Sequence, residues 1–177
     1  MMRKLILFAV CFIPAGVLAQ GLSAMYSFTT YSSQQGNYVD INTAIELQGL
    51  EVKNDNAQVE LTTLICEVND TKNVLYLDKR DLNAKKSSEE DKGQMLDIQR
   101  VKLNNGTYLL YMSFKDKNSP AEAVEIKDVI KMDYRENELA VSDVQIIMPP
   151  KKSTSKTLNS KQGYDIIPYP YDIIPKE

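Results

Sequence analysis

A strict two-residue alternation of apolar side chains is the feature that most restricts the fold of this chain. Residues 108–115 read Tyr-Leu-Leu-Tyr-Met-Ser-Phe-Lys, and residues 38–47 alternate in the same way. A period of two places successive side chains on opposite faces of a strand, whereas an α-helix repeats every 3.6 residues. No segment carries a long apolar stripe at helical spacing. The sequence therefore predicts an all-β fold.

Further apolar segments bring the number of predicted strands to about seven or eight. They lie at residues 25–31, 59–68, 74–77, 96–103, 124–134 and 141–148, and polar residues 84–94 predict an exposed loop. Many short strands with turn signals between them are typical of an immunoglobulin/fibronectin-III-like antiparallel β-sandwich, which we assign to residues 20–150.

One of these strands is irregular in its apolar pattern. Val59 and Leu61 occupy one set of alternate positions, and the apolar side chains then move to the other set, starting at Leu64. A one-residue insertion shifts the alternation in this way, so the sequence predicts a β-bulge near Thr62-Thr63. Cys66 follows in an apolar stretch without a basic neighbour, which favours a small buried residue over a reactive thiol.

A more specific motif precedes the strand with the strictest alternation. Leu103, Gly106 and Tyr108 follow the pattern of the tyrosine corner, in which a Tyr hydroxyl bonds back to the backbone a few residues upstream. The alternative is a plain hairpin on Asn105-Gly106 with an ordinary strand tyrosine. The number of surrounding strands favours the corner.

Residues 1–19 have the organisation of a secretory signal peptide. Arg3 and Lys4 precede an apolar run, Pro14 and Gly16 interrupt it, and the small residue Ala19 precedes the expected cleavage site. A membrane anchor is the alternative, but the apolar stretch is shorter than the ~20 residues of a spanning helix. A lipoprotein at Cys11 lacks the small residue that should precede the cysteine. We expect an exported protein, periplasmic or associated with the outer membrane or extracellular, without a membrane span after cleavage.

Two copies of one five-residue unit follow a polar linker in residues 151–177. The first tail unit is Tyr164–Pro168 and the second tail unit is Tyr171–Pro175, both with the sequence Tyr-Asp-Ile-Ile-Pro. Proline opposes helix and central strand, so the tail is expected to be extended. Its side chains are too apolar for a purely solvated tail, which predicts docking on a partner or on the chain's own domain. The candidate partner-binding residues are Tyr164, Ile166, Ile167, Pro168, Tyr169, Tyr171, Ile173 and Ile174.

Composition excludes several functional classes. The chain has no His, which removes His-dependent triads and His-ligated metal sites. A net charge of −3, which becomes −5 once Arg3 and Lys4 leave with the signal peptide, argues against nucleic acid as a partner. Paired carboxylates are the remaining enzymatic option, but no catalytic motif is matched. We expect no catalysis, no metal and no cofactor.

Six short motifs occur in order along the chain. They are Gly36-Asn37-Tyr38-Val39-Asp40, Gln58-Val59-Glu60-Leu61, Leu103-Asn104-Asn105-Gly106-Thr107-Tyr108, Asp116-Lys117-Asn118-Ser119, Ser142-Asp143-Val144-Gln145 and Gly163-Tyr164-Asp165-Ile166-Ile167-Pro168. Together they resemble the N-terminal β-sandwich region of secreted Bacteroidetes envelope proteins of the GWxTD-domain type. The resemblance covers roughly residues 22–170, although the GWxTD motif itself is absent, which implies a short relative or a truncated form. It supports an envelope location and a sandwich fold, and it implies no catalytic mechanism.

The sequence thus predicts a secreted, non-enzymatic interaction module that binds a protein partner through an exposed sheet edge, the apolar tail, or both. The alternative is a carbohydrate-binding or hydrolytic surface protein. Tyrosine side chains at a rim can stack on sugars, and the candidates are Tyr26, Tyr31, Tyr38 and Tyr111.

Overall fold

The computed structural model describes residues 21–86, 93–134, 141–155 and 160–169. These residues form strands and loops, and none of them lies in a helix. The strands are β1 Ala24–Tyr31, β2 Tyr38–Glu46, β3 Asn56–Glu67, β4 Asp70–Lys85, β5 Gln94–Lys102, β6 Gly106–Asp116, β7 Val124–Met132, β8 Lys151–Lys152, β9 Ser160–Lys161 and β10 Tyr164–Asp165.

The seven long strands form two antiparallel sheets. One sheet has the order β1-β2-β5 and the other has the order β4-β3-β6-β7. The chain crosses from one sheet to the other between β2 and β3, between β4 and β5, and between β5 and β6, which is the connectivity of a fibronectin-III-like sandwich. The predicted all-β sandwich is confirmed.

The core lies between the two sheets and is built by alternate positions of the strands. In β6 the even-numbered residues from Tyr108 to Phe114 are buried, which is the face that the strict alternation predicts. Burial of such side chains contributes about 1.5–3 kcal/mol each. Fully buried partners come from both sheets and include Ile41, Ile45, Leu61, Ile65 and Ile130.

The predicted bulge near Thr62-Thr63 is wrong. Strand β3 keeps its register with β6 from Val59 to Glu67, and Thr63 is a fully buried residue of the core face. The register shifts instead against β4, on both sides of Cys66. The apolar side chains move to the other set of alternate positions because the outer face of this sheet is also apolar there. On that face Val68 is 42% exposed and Leu77 is 63% exposed. Cys66 itself is buried, as predicted.

Strand β4 is longer than the apolar run 74–77 that predicted it, and it continues to Lys85. The half-buried positions of its second part include the charged pair Asp78 and Arg80, so no apolar period marks them. The predicted exposed loop is correspondingly shorter. Lys86, inside the predicted loop, is only 2% exposed because its ammonium group donates to the carbonyl of Leu50 at 2.8 Å.

The predicted strand at residues 141–148 is also wrong. Only Ile147 in this segment forms a bridge, and Val141 and Val144 are 82% and 89% exposed. The segment runs beside β1, where the amide of Asp143 donates to the carbonyl of Thr30 at 3.2 Å. Its apolar residues therefore do not complete a sheet of the sandwich.

A small third sheet of order β8-β10-β9 holds the first tail unit. Gln162 and Gly163 both have positive φ, at 53° and 83°, which is the geometry of a two-residue hairpin turn between β9 and β10. The unit then continues along residues 146–148, since the amide of Met148 donates to the carbonyl of Ile167 at 2.8 Å.

Candidate functional site

Strand β5 presents an open backbone edge. The amide of Leu103 donates to the carbonyl of Asn37, and the amide of Leu47 donates to the carbonyl of Gly93. Alternate residues of an antiparallel strand bond to the same neighbour, so the odd-numbered residues of β5 bond to β2. The even-numbered residues, among them Ile98, Arg100 and Lys102, direct their N–H and C=O groups away from β2. Among the residues that the structure describes, no strand pairs with this edge.

A cleft of about 500 Å³ surrounds this edge. One wall comes from β4, and the other comes from β2 and the loop before it. We call it the edge cleft and define it by Ser33, Gln35, Gly36, Tyr38, Tyr76, Arg80, Ile98, Gln99, Arg100 and Lys102. The two sheets of the sandwich part here, and side chains from both of them reach the same open space.

The two arginines of the edge cleft are held by carboxylates. Arg100 donates to both oxygens of Asp40, at 2.7 and 2.6 Å, from the neighbouring position on β2. Arg80 pairs with Asp78 on its own strand and reaches Asp97 of β5 at 3.1 Å. Hydrogen bonding to these carboxylates raises the pKa of each guanidinium above its ordinary value. Both groups are therefore fixed cations at the mouth of the cleft.

Aromatic rings support the same surface. Tyr31 and Tyr38 stack with ring centroids 4.9 Å apart, and the Arg100 guanidinium lies over Tyr38 at 4.4 Å. Burial raises the pKa of the Tyr31 phenol, and the negative charge of Asp40 raises it further. Across the cleft, the Tyr76 hydroxyl donates to Gln99 at 3.2 Å. The cleft walls are thus preorganised by contacts between the two sheets.

The other edge of the same sheet is closed in part. Asp143 accepts hydrogen bonds from the amide and the hydroxyl of Thr30 on β1, at 2.9 and 2.6 Å. Side-chain capping of an edge strand satisfies the groups that would otherwise bond to another chain. Among the described residues, no side chain caps the backbone of Ile98, Arg100 or Lys102 on the β5 edge in this way, which distinguishes the two edges.

The described part of the predicted partner-binding tail lies against its own chain. Pro168 is buried, and Ile166, Ile167 and Tyr169 are half-buried, whereas Tyr164 is 44% exposed. The amide of Tyr169 donates to the carbonyl of Ile146 at 2.8 Å. The remaining predicted residues, Tyr171, Ile173 and Ile174, lie outside the described residues.

The first tail unit covers a polar patch on the outer face of β2. Ile166 and Pro168 line a cavity of about 10 Å³ together with Asn42, and Asn42 is only 3% exposed. Neither side-chain polar atom of Asn42 has a hydrogen-bond partner among the described residues. Ile98 and Arg100 line this cavity as well as the edge cleft, so the first tail unit and the cleft are neighbours.

The geometry of a tyrosine corner is present at the start of β6. The Tyr108 hydroxyl donates to the carbonyl of Asn104 at 2.9 Å, and Leu103 is buried. A Cβ atom on Gly106 would lie 2.9 Å from the Tyr108 hydroxyl oxygen, so the ring requires glycine there. The corner lies at the connection from β5 to β6, and none of its three residues lines the edge cleft.

The other tyrosines that the sequence predicted for a rim are dispersed. Tyr38 lines the edge cleft, and Tyr31 stacks behind it. Tyr26 donates to Asp128 of the other sheet at 2.8 Å, while Tyr111 lies under Lys127 on a different face. In the edge cleft Tyr38 therefore lies with Tyr76, a tyrosine that the sequence did not predict for a rim.

The described residues contain no group of three or more acidic or cysteine side chains that could hold a metal ion. They also contain no helix that is long and apolar enough to cross a membrane. The predicted signal peptide at residues 1–19 lies outside the described residues.

Comparison with known proteins adds no identity. No protein-family model matches this chain, and no curated protein matches it. The resemblance to proteins of the GWxTD-domain type stays a prediction from sequence motifs.

Proposed function

We propose that this protein is a secreted, non-enzymatic interaction module of the bacterial cell envelope that binds a protein partner by adding the partner's strand to β5. The observation that carries the proposal is the open β5 edge inside the edge cleft. An extended peptide bonds to such an edge through its main chain, and pockets on either side select its side chains. Export rests on the signal-peptide pattern of residues 1–19.

The chemistry of the cleft favours an extended segment with an acidic residue. Arg80, Arg100 and Lys102 line it, and Lys102 is the cation whose charge no described carboxylate pairs with. Tyr76 and Ile98 provide apolar surface beside these charges. A carboxylate between apolar side chains on the partner strand would match both properties.

Position-specific crosslinking tests the proposal. We would place the photoreactive residue p-benzoyl-phenylalanine at Lys102 and, as a matched control, at Lys131 in the native envelope. Lys131 is an exposed lysine near the end of β7, and its amide also points away from the sheet because β7 pairs with β6 through its even-numbered residues. We expect one adduct from position 102 only. Adducts from both positions, or from neither, would contradict binding at the β5 edge.

A proline substitution then tests the mode of binding. Lys102→Pro removes an amide that points away from β2, so it blocks strand addition while the pairing with β2 is kept. With the crosslinker at Gln35, we expect Lys102→Pro to abolish the adduct and Lys131→Pro to leave it unchanged. An adduct that survives Lys102→Pro would show that the partner contacts the cleft without joining the sheet.

Carbohydrate binding is the second candidate because the cleft places a tyrosine ring together with hydroxyl and amide groups. Tyr76, Ser33 and Gln99 line the same open space. Calorimetric titration with acidic and neutral glycans tests this candidate. It predicts binding that Tyr76→Ala abolishes and Tyr111→Ala does not, since Tyr111 lies on another face. No heat with any glycan, together with an adduct at position 102, would decide for the protein partner.

A further inference from the structure

The first tail unit shows how the sequence Tyr-Asp-Ile-Ile-Pro docks on this chain. Its Tyr and Asp residues pair as strand β10, and its Ile166 and Pro168 lie beside Ile98 and Arg100. The unit therefore combines backbone pairing with apolar contact on the outer face of the β1-β2-β5 sheet. A second unit of identical sequence has the same capabilities.

The second tail unit follows within reach of the edge cleft. Tyr171–Pro175 begins two residues after Tyr169, the last described residue. The six residues from 170 to 175 span about 20 Å when extended. Ile98 and Arg100, which contact the space around Pro168, also line the edge cleft, so the chain reaches its border before the second unit begins.

The second tail unit also matches the edge in hydrogen bonding and charge. Tyr171 to Ile174 supply four consecutive amides between Pro170 and Pro175, and these prolines limit any pairing to that stretch. The β5 edge offers N–H and C=O groups at alternate residues over a similar length. Asp172 brings one negative charge to a cleft lined by two arginines and Lys102.

We propose that the second tail unit docks in the edge cleft of its own chain and occupies the β5 edge as a short added strand. The docking itself does not depend on any partner. The effect of this docking on partner binding rests on the proposed function. A partner strand must displace residues 171–175, so the docked tail lowers the apparent affinity for the partner.

Amide hydrogen exchange, followed by NMR, tests the docking with an internal control. We compare the chain from Gln20 to Glu177 with the same chain ending at Tyr169, which keeps every described residue. The probes are the amides of Ile98, Arg100 and Lys102, and the controls are those of Gln99 and Val101, which bond to β2 in either chain. We expect the three probes to exchange about tenfold more slowly in the longer chain, which corresponds to an edge that is occupied about nine-tenths of the time. The two controls should not change.

Two results would overturn the proposal. Equal exchange of the probe amides in both chains would show that residues 171–175 do not occupy the edge. Slower exchange that depends on protein concentration would assign the edge to the tail of a second copy instead. Within the longer chain, Asp172→Lys should reduce the protection, whereas Lys176→Asp, outside the second tail unit, should not.

The outcome is separable from that of the proposed function. If the probe amides are protected but no partner is crosslinked, the docking of the tail is supported and the proposed partner binding is contradicted. If a partner is crosslinked but the probe amides exchange equally in both chains, partner binding is supported and the docking of the tail is contradicted.

Discussion

At the scale of single residues, buried hydroxyl groups divide into those with partners and those without. Thr30 near the end of β1 and Thr63 within β3 are both buried. The Thr30 hydroxyl lies 2.6 Å from Asp143 and 2.8 Å from the Tyr134 hydroxyl. The Thr63 hydroxyl finds no partner among the described residues. A buried hydroxyl stabilises the fold only when it is paired.

This difference predicts opposite effects of the same substitution. Thr63→Val keeps the shape of the side chain and removes an unpaired hydroxyl, so we expect the free energy of unfolding to rise by about 1 kcal/mol. Thr30→Val should lower it by about 1–3 kcal/mol because Asp143 loses a partner. Urea denaturation of both variants measures these changes. A loss of stability in Thr63→Val would show that its hydroxyl is satisfied.

Tyr108 of β6 donates one hydrogen bond to the loop that follows β5, and its hydroxyl predicts a pH dependence of stability. Tyr108→Phe should cost about 1 kcal/mol at pH 7, since the Asn104 carbonyl loses its donor. Burial raises the pKa of the Tyr108 phenol above its ordinary value of 10.0, and the charge of Glu67 raises it further. The folded state then holds this proton more tightly than the unfolded state.

The stabilisation linked to that proton is fully present below pH 10 and is lost as the pH rises through the folded pKa. The stability difference between wild type and Tyr108→Phe should therefore shrink above about pH 10. Urea denaturation at a series of pH values measures it, and the subtraction cancels the other tyrosines. A difference that stays constant up to about pH 11 would contradict the assignment.

At the scale of elements, an ion pair between Asp40 and Arg100 adds to the backbone pairing of β2 with β5. Asp40 is 5% exposed and accepts two bonds from Arg100 at directly opposed positions. These positions are a non-hydrogen-bonded pair of the ladder, where opposed side chains approach most closely. The Tyr38 ring beneath the guanidinium further limits its motion.

Asp40→Asn should lower the free energy of unfolding by about 2 kcal/mol, because the half-buried pair loses one acceptor and the negative charge of the buried Asp40. Asp81→Asn is the matched control. Asp81 pairs with Lys117 at an exposed site, where both side chains are about two-fifths exposed, and its loss should cost less than about 0.5 kcal/mol. If both substitutions lower the free energy of unfolding equally in chemical denaturation, the burial of Asp40 does not strengthen its ion pair.

At the scale of the whole molecule, the sandwich core is independent of the tail. Every residue of the core cluster and of its half-buried shell lies between Leu22 and Tyr134. Ile166 and Pro168 lie over the outer face of one sheet, and Asp143 caps one edge of it. We therefore expect the sandwich to fold without the tail.

Deleting residues 163–177 should leave a folded β-sandwich that is less stable by about 1–3 kcal/mol, the contribution of the partly buried first tail unit. Deleting only residues 170–177 is the control and should cost less, because all described contacts are kept. Circular dichroism and urea denaturation measure both. An unfolded chain after the larger deletion would place the tail within the folding unit.

Local pattern by itself determined the all-β class, six of the seven long strands in outline and the corner at Tyr108. Each of these depends on neighbours in the chain: the side-chain period of two, and a glycine two residues before a tyrosine. The same local information misassigned Thr63 and residues 141–148. An apolar stretch has the same sequence pattern whether its side chains face the core or cover an outer face of a sheet.

The tertiary structure alone decided the location of the candidate site. The edge cleft joins β4, β5 and the loop before β2, which are distant in sequence, and an edge exists only once the order of strands in each sheet is fixed. Arg80 and Tyr76 lie on a strand whose charged positions hide its period, so no local signal marked them. The repeated tail unit was visible in the sequence, but its contact with Ile98 and Arg100 follows from the packing of the chain. Hydrophobic period is a property of short segments, whereas an open edge is a property of the assembled sheets.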